Sequence, residues 1–355
     1  MKKTLAAAAI ALAFAYGSNG TALANEADVL QNGSHNSATI EQTGGVVTAG
    51  IDTTGVGNSA SIKQIDSIST EAQIVQNGNN NSAEITQKPA GAFTDDAYAS
   101  ITQENSQNAR AVIQQLGANS SDATISQTSV AGAGADATIV QSAQASTANI
   151  EQLNLNTDFR TTATINQSGS QNFADIYQED SFVATAVINQ SGANHDATIL
   201  MFPFSDFAMA TVVQAGNNHS ATVSIQGEHN TASVNQMGES NLATVTMQGT
   251  FGYSNVLQTG ESNRATIGQA PGTTGNAATV VQSGADQDAS ITQGGMWNTA
   301  TINQSGSANN AIIAQVGTGI IGSPNTATVL QSGNANRAFI TQGGGAGNSA
   351  TITQN

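Results

Sequence analysis

Across 355 residues the chain carries one Trp, four Tyr and ten Phe, 9% charged residues, no cysteine and a formal charge of −16. So few large apolar groups exclude a single wide globular core, and the acid excess excludes nucleic acid or an anionic membrane as the natural partner. Without disulfides, burial and hydrogen bonds alone must hold the folded chain.

The first residues read as a secretory signal. Met1-Lys2-Lys3 is a positive n-region, Leu5 to Tyr16 is an apolar h-region, and Ala22-Leu23-Ala24 is an A-x-A cleavage site. The cut falls between Ala24 and Asn25, so the predicted domains are a signal peptide, 1–24, and a repeat domain, 25–355. Loss of Lys2 and Lys3 takes the charge from −16 to −18. No later segment approaches the roughly 20 apolar residues of a membrane span. The expectation is export through a Gram-negative-type envelope, with no membrane insertion.

From Asn25 onward one phrase, Asn-x-Ala-x-Ile-x-Gln and then a turn, returns 28 times, every 11 to 16 residues and most often every 11. Clean copies are Asn36 to Gln42, Asn298 to Gln304 and Asn348 to Gln354. Self-similarity at a fixed period marks a repeat architecture. Strand side chains alternate faces with period two. In the first clean copy Asn36, Ala38, Ile40 and Gln42 therefore point one way, and Ser37, Thr39 and Glu41 the other. Strands of about five to seven residues alternate with turns such as Gln31-Asn32-Gly33-Ser34-His35-Asn36, where Gly supplies positive φ and Asn or Ser bonds the backbone. Pro89, Pro203, Pro271 and Pro324 all fall outside the strand slots, as they must if those slots are paired.

The predicted fold class is all-β, a two-sheet β-solenoid of about 14 rungs with cross-β stacking. Two strands and two turns make a rung of about 22 to 28 residues. Rungs about 4.8 Å apart make the stack about 65 Å long. Ala and Ile fill a thin core between sheets about 10 Å apart. The inward Gln is the oddity, because a buried amide without partners costs about 1–3 kcal/mol. Stacked amides can bond along a column instead. The candidate stacking residues are Gln31, Gln42, Gln64, Gln87, Gln304, Gln342 and Gln354, with Asn36, Asn58, Asn81, Asn298, Asn336 and Asn348 as a second column at the strand start.

Copies in 25–87 and 230–355 are the most regular. In the weaker middle and near the start, Thr53, Met201, Ile225 and Met247 take the Gln slot. Longer turns sit at 88–96, 153–160 and 318–324. The apolar stretch Phe202-Pro203-Phe204-Ser205-Asp206-Phe207 reads as a local cap over Met201. His35, His195, His219 and His229 show no metal-ligand spacing, and no Ser-His-Asp grouping or phosphate loop stands out. The sequence predicts no enzyme, no metal site and no cofactor.

The pattern Gln-x-Gly-x-x-Asn-x-Ala-x-x-x-Gln, as in Gln31 to Gln42, Gln293 to Gln304 and Gln342 to Gln354, resembles the curlin repeat of curli subunits over nearly all of 25–355. The resemblance implies a secreted amyloid subunit in cell-surface fibres, serving biofilm matrix, adhesion and colonisation. It implies partners too: further copies of itself, a nucleator subunit and an outer-membrane export channel. Asp175, Asp196 and Glu228 are candidates for the charged gatekeepers of interior repeats. The chain departs from familiar major subunits in its larger repeat number and in lacking a Gly- and Asn-rich segment before the repeats. A nucleator role and a monomeric solenoid binding ice or polysaccharide through a Thr-rich face are the alternative readings.

Overall fold

In a computed structural model, residues 25–88, 96–132, 134–157 and 160–355 are described. The signal segment with Ala24, Pro89 and parts of the turns at 88–96 and 153–160 lie outside them. The described residues form two parallel 14-stranded sheets stacked as a β-solenoid of about 14 turns, the all-β architecture that the repeat predicts. One sheet takes alternate strands, from Glu26–Ser34 and Thr48–Val56 to Asn310–Gln315 and Arg337–Gln342. The other takes the strands between, from Ser37–Gly45 and Ser59–Ile68 to Asn325–Gln331 and Ser349–Gln354. A two-residue parallel pairing, Ala131–Gly132 with Asn156–Thr157, belongs to neither. No helix among the described residues is long and apolar enough to cross a membrane.

The chain divides into two compact units, one of Met1–Arg160 with Asn166–Ser168, the other of Thr161–Ile165 with Gly169–Asn355. Each is built the same way. In the first, Ala72 and Ile74 lie beside Ala99 and Ile101, and these beside Ala123 and Ile125. In the second, Ala197 and Ile199 lie beside Ala221 and Val223, and these beside Ala243 and Val245. All twelve are buried. Parallel in-register pairing places like residues side by side, so one Ala column and one branched column line each sheet's inner face. Full burial of an Ile or Val side chain contributes about 1.5–3 kcal/mol. The neighbouring Ala keeps the sandwich thin.

The strands of the two sheets run from 6 to 10 residues; those of 6 or 7 match the length read from the sequence, and the others exceed it. In longer strands such as Met209–Asn217 and Thr231–Glu239 the cause is the glycine two residues after the Gln slot. Gly216, Gly238 and Gly260 remain paired with one another, at φ values of +122, +107 and +112, so the ladder continues past the Gln before the chain turns. The turn then shrinks to two residues, often with a single non-glycine residue at positive φ, such as His35, Asn80, Asn194 or Asn218. Asn tolerates that conformation better than most residues. The sequence Phe202–Phe207 makes one of the longer turns. Phe204 and Phe207 are 70% and 52% exposed and turn outward, which does not match a cap over Met201.

No β-carbon fits in the glycine column. One added at Gly238 would lie 2.2 Å from the carbonyl oxygen of Gly260. Gly238→Ala should therefore lower stability by about 2–3 kcal/mol, from left-handed strain and the steric shift together. Gly268→Ala provides the control. A β-carbon at Gly268 meets nothing within 4 Å, and its denaturation midpoint should stay close to that of the unaltered chain.

Candidate assembly site: the amide ladders

The inner face of each strand carries its Gln slot last, just before the glycine. Parallel pairing brings successive slots together at the rung spacing, close enough for one amide to reach the next. In the first unit Gln42 donates from Nε2 to Oε1 of Gln64 at 3.0 Å, Gln64 to Gln87 at 2.9 Å, and Gln87 to Gln115 at 2.8 Å. The run goes on through Gln141 to Gln167. In the second unit an unbroken run leads from Gln190 through Gln214, Gln236, Gln258, Gln282, Gln304 and Gln331 to Gln354, every step between 2.8 and 2.9 Å. In the facing sheet the bonded runs are Gln76 to Gln152 and Gln269 to Gln342. Every amide donates toward the C-terminal neighbour.

The second hydrogen of each Nε2 crosses the sandwich. Gln64 donates to the Thr48 carbonyl at 3.2 Å, Gln236 to Ser220 at 3.0 Å, Gln304 to Asp288 at 3.1 Å, and Gln342 to Thr326 at 2.8 Å. The acceptor is the carbonyl at the start of the facing strand. One side chain thus links its own sheet along the stack and ties it to the other sheet.

The Asn slot works through the turns. Oδ1 of Asn36 accepts the backbone N–H of Asn58, and Oδ1 of Asn58 accepts that of Asn81, at 3.0 and 3.1 Å. Nδ2 of Asn58 donates to the carbonyls of Thr54 and Gly78. Asn298 repeats the arrangement with Gly294 and Gly317. Asn336 bonds Asn309 and Ser332, and Asn348 bonds Asn325 and Gly345. Asn25 heads its column by accepting the Val47 N–H. The three candidate gatekeepers do not come together as one group. Asp175 and Asp196 lie near each other, and burial, then the Asp175 charge, raises the Asp196 carboxyl above its ordinary range. Glu228 is exposed in a turn.

Among the described residues, residues other than Gln take the Gln slot in one sheet. Thr53 stands between Gln31 and Gln76, too short to reach either, and leaves Nε2 of Gln31, its own Oγ1 and Oε1 of Gln76 buried without partners. Further on, Met201, Ile225 and Met247 hold three successive slots between Gln178 and Gln269, and are fully buried. Gln178 there donates to the Met201 sulfur at 3.5 Å.

Two features escaped the sequence reading. His195 and His219 occupy the Asn slot, where they follow Asn172 and precede Asn241. Their position one residue before Asp196 and Ser220, the strand starts, was the available signal. The second is a file of turn aromatics, Phe207, His229 and Phe251, stacked at 4.9 and 4.6 Å. These lie two residues before successive strands, a spacing visible in the repeat once rung lengths are known.

Three substitutions test the ladder. Gln236→Ala leaves Gln214 without an acceptor and Gln258 without a donor, and should cost about 3–5 kcal/mol in equilibrium denaturation. Gln236→Met should cost less, since Met already fits this slot at Met201 and Met247. Thr53→Gln supplies the missing amide, and should raise stability by about 1–2 kcal/mol.

No curated protein matches the chain. The family model described as the curlin associated repeat matches it at three places, residues 24–45, 209–238 and 322–355. Those three stretches include Gln42, Gln214 and Gln236, and Gln331, Gln342 and Gln354, members of the ladders just described, and Gln31, in the same slot beside Thr53. Three such matches, on a solenoid whose coils carry the same slots throughout, support the chain as a member of the curlin repeat family.

Proposed function

We propose that the chain is a secreted structural subunit that adds head to tail to further copies of itself, making curli-like amyloid fibres for biofilm matrix, adhesion and colonisation. Curlin repeats on a β-solenoid fit a curli-like structural subunit. The observation that carries the reading further is the direction of the ladders. Among the described residues no donor reaches Oε1 of Gln42, while Nε2 of Gln354 donates only to the Arg337 carbonyl. One outer rung offers amide acceptors, the other amide donors, in the same slots. The strands Arg337–Gln342 and Ser349–Gln354 each have one sheet neighbour, and so do Glu26–Ser34 and Ser37–Gly45. Unpaired strand edges template further strands. In this reading the 1–24 segment directs export, a curli-type nucleator and outer-membrane channel serve the chain, and the Gln and Asn columns are the stacking residues.

A second reading rests on Thr198, Thr222, Thr244 and Thr266, which lie in register on the outer face of one sheet. Such a hydroxyl row suits a monomeric solenoid bound to ice or polysaccharide. The neighbouring outward slot holds Leu200, Ser224, Thr246 and Gly268, so the row is one residue wide, and the fibre reading is preferred.

Fibre diffraction and negative-stain microscopy on the purified chain decide between them. The fibre reading expects filaments with a meridional reflection near 4.8 Å. It also expects Thr351→Pro, which removes a ladder donor from an outer strand, to slow elongation. A chain that stays monomeric for days at micromolar concentration, with no such reflection, overturns it.

A further inference from the structure

The amide columns have no titratable member except at two rungs. Four turns in succession present Asn172, His195, His219 and Asn241 in one slot. Oδ1 of Asn172 accepts the His195 N–H at 3.1 Å, Nδ1 of His195 accepts the His219 N–H at 3.4 Å, and Nδ1 of His219 accepts the Asn241 N–H at 3.2 Å. Asn241 resumes the amide pattern, its Oδ1 accepting the Asn263 N–H at 3.0 Å. On the other side of each ring Nε2 donates to a turn carbonyl, Ser191 at 3.1 Å and Ala215 at 3.0 Å. Nδ2 of Asn241 makes the equivalent bond to Met237. A neutral imidazole protonated on Nε2 copies both ends of an Asn amide.

The copy holds only while the rings are neutral. A second proton would sit on Nδ1, pointing at a backbone N–H that has no other acceptor there. The rings are stacked 5.1 Å apart and 5° from parallel, and each is 1% exposed, so two charges would repel with little water between them. No carboxylate bonds either ring. The titratable groups on the packed elements are Asp175, Tyr177 and Glu179 on Phe173–Glu179, Asp196 on His195's own strand, and Glu239 on Thr231–Glu239. The strands Thr185–Ala193, Met209–Asn217, Ser220–Ile225 and Leu242–Met247 carry none.

We propose that His195 and His219 form an acid-operated break in the turn column: protonation of either ring releases the turns it joins and loosens those rungs. Burial lowers both rings below 6.5, and the neighbouring His195 lowers His219 further. Well above 6.5 the rings are neutral both folded and unfolded, and contribute nothing to pH dependence. Below it the unfolded chain takes up protons first, so stability falls as pH falls. The inference stands on the fold and is independent of fibre growth.

Amide hydrogen exchange on the full chain tests it, corrected for the intrinsic rate, between about pH 7.5 and about pH 5. Protection of the His219 and Asn241 N–H groups should fall at least about tenfold, the effect of one proton-linked pH unit. The Asn298 N–H, bonded instead to Oδ1 of Asn276, should keep its protection. The His195→Asn/His219→Asn double variant restores the all-amide column and should abolish the fall. Equal pH dependence at Asn241 and Asn298, or a fall that persists in the double variant, overturns the proposal. Should that variant not fold, NMR titration of the native rings decides, and protonation at or above 6.5 without loss of the Asn241 protection overturns it.

Discussion

A primary amide has two hydrogens, and this fold uses them at right angles. One Nε2–H of each Gln within a ladder run goes along the stack to the next Gln, and the other crosses to the facing strand, as at Gln236 with Gln258 and Ser220. The remaining features follow from that dual use. The sheets must be parallel and in register, because only then do Gln slots recur at a distance one amide can bridge. The sandwich must be thin, because the crossing bond has to reach the far backbone. The neighbouring inner residue must then be small, Ala in most rungs and Ser at Ser254. A Leu in place of Ala243 would hold the sheets too far apart for Gln236 to reach Ser220.

Much of this is legible in the sequence because it is periodic. The parity of Asn36, Ala38, Ile40 and Gln42 gives the inner face, and the spacing of Gln slots gives two strands per coil. Strand length was not legible. Gly238 reads as a turn residue on propensity, yet its freedom at φ +107 serves to keep two backbones close while pairing continues. The crossing partner of each Gln was hidden for another reason. It is a backbone carbonyl about a rung away, and no side-chain pattern marks it. The role of His195 and His219 was hidden because their likeness to Asn lies in where the ring nitrogens point.

The two kinds of interruption differ physically. At Thr53 the slot stays polar and loses length, so amide groups on either side are stranded. At Met201, Ile225 and Met247 the slot stays filled by a large buried side chain and loses polarity, so dispersion replaces hydrogen bonding. Three apolar slots in succession strand fewer groups than three scattered ones, since only the two borders lose a bond. At the Gln178 border the sulfur of Met201 takes part of the amide's place. The same rungs carry the stacked Phe207, His229 and Phe251 in their turns, so stabilisation there shifts to the corner.

The common direction of the ladders has an electrical consequence. Each Gln amide is a dipole much like a peptide unit, about 3.5 D, and within each unit all of them point the same way. Antiparallel sheets cancel such terms between neighbours, and this arrangement does not. Each run therefore behaves as a rigid electret, with a positive face where N–H groups are uppermost and a negative one where oxygens are. Two such stacks approaching end on attract in one orientation and repel in the other, before any hydrogen bond between them has formed.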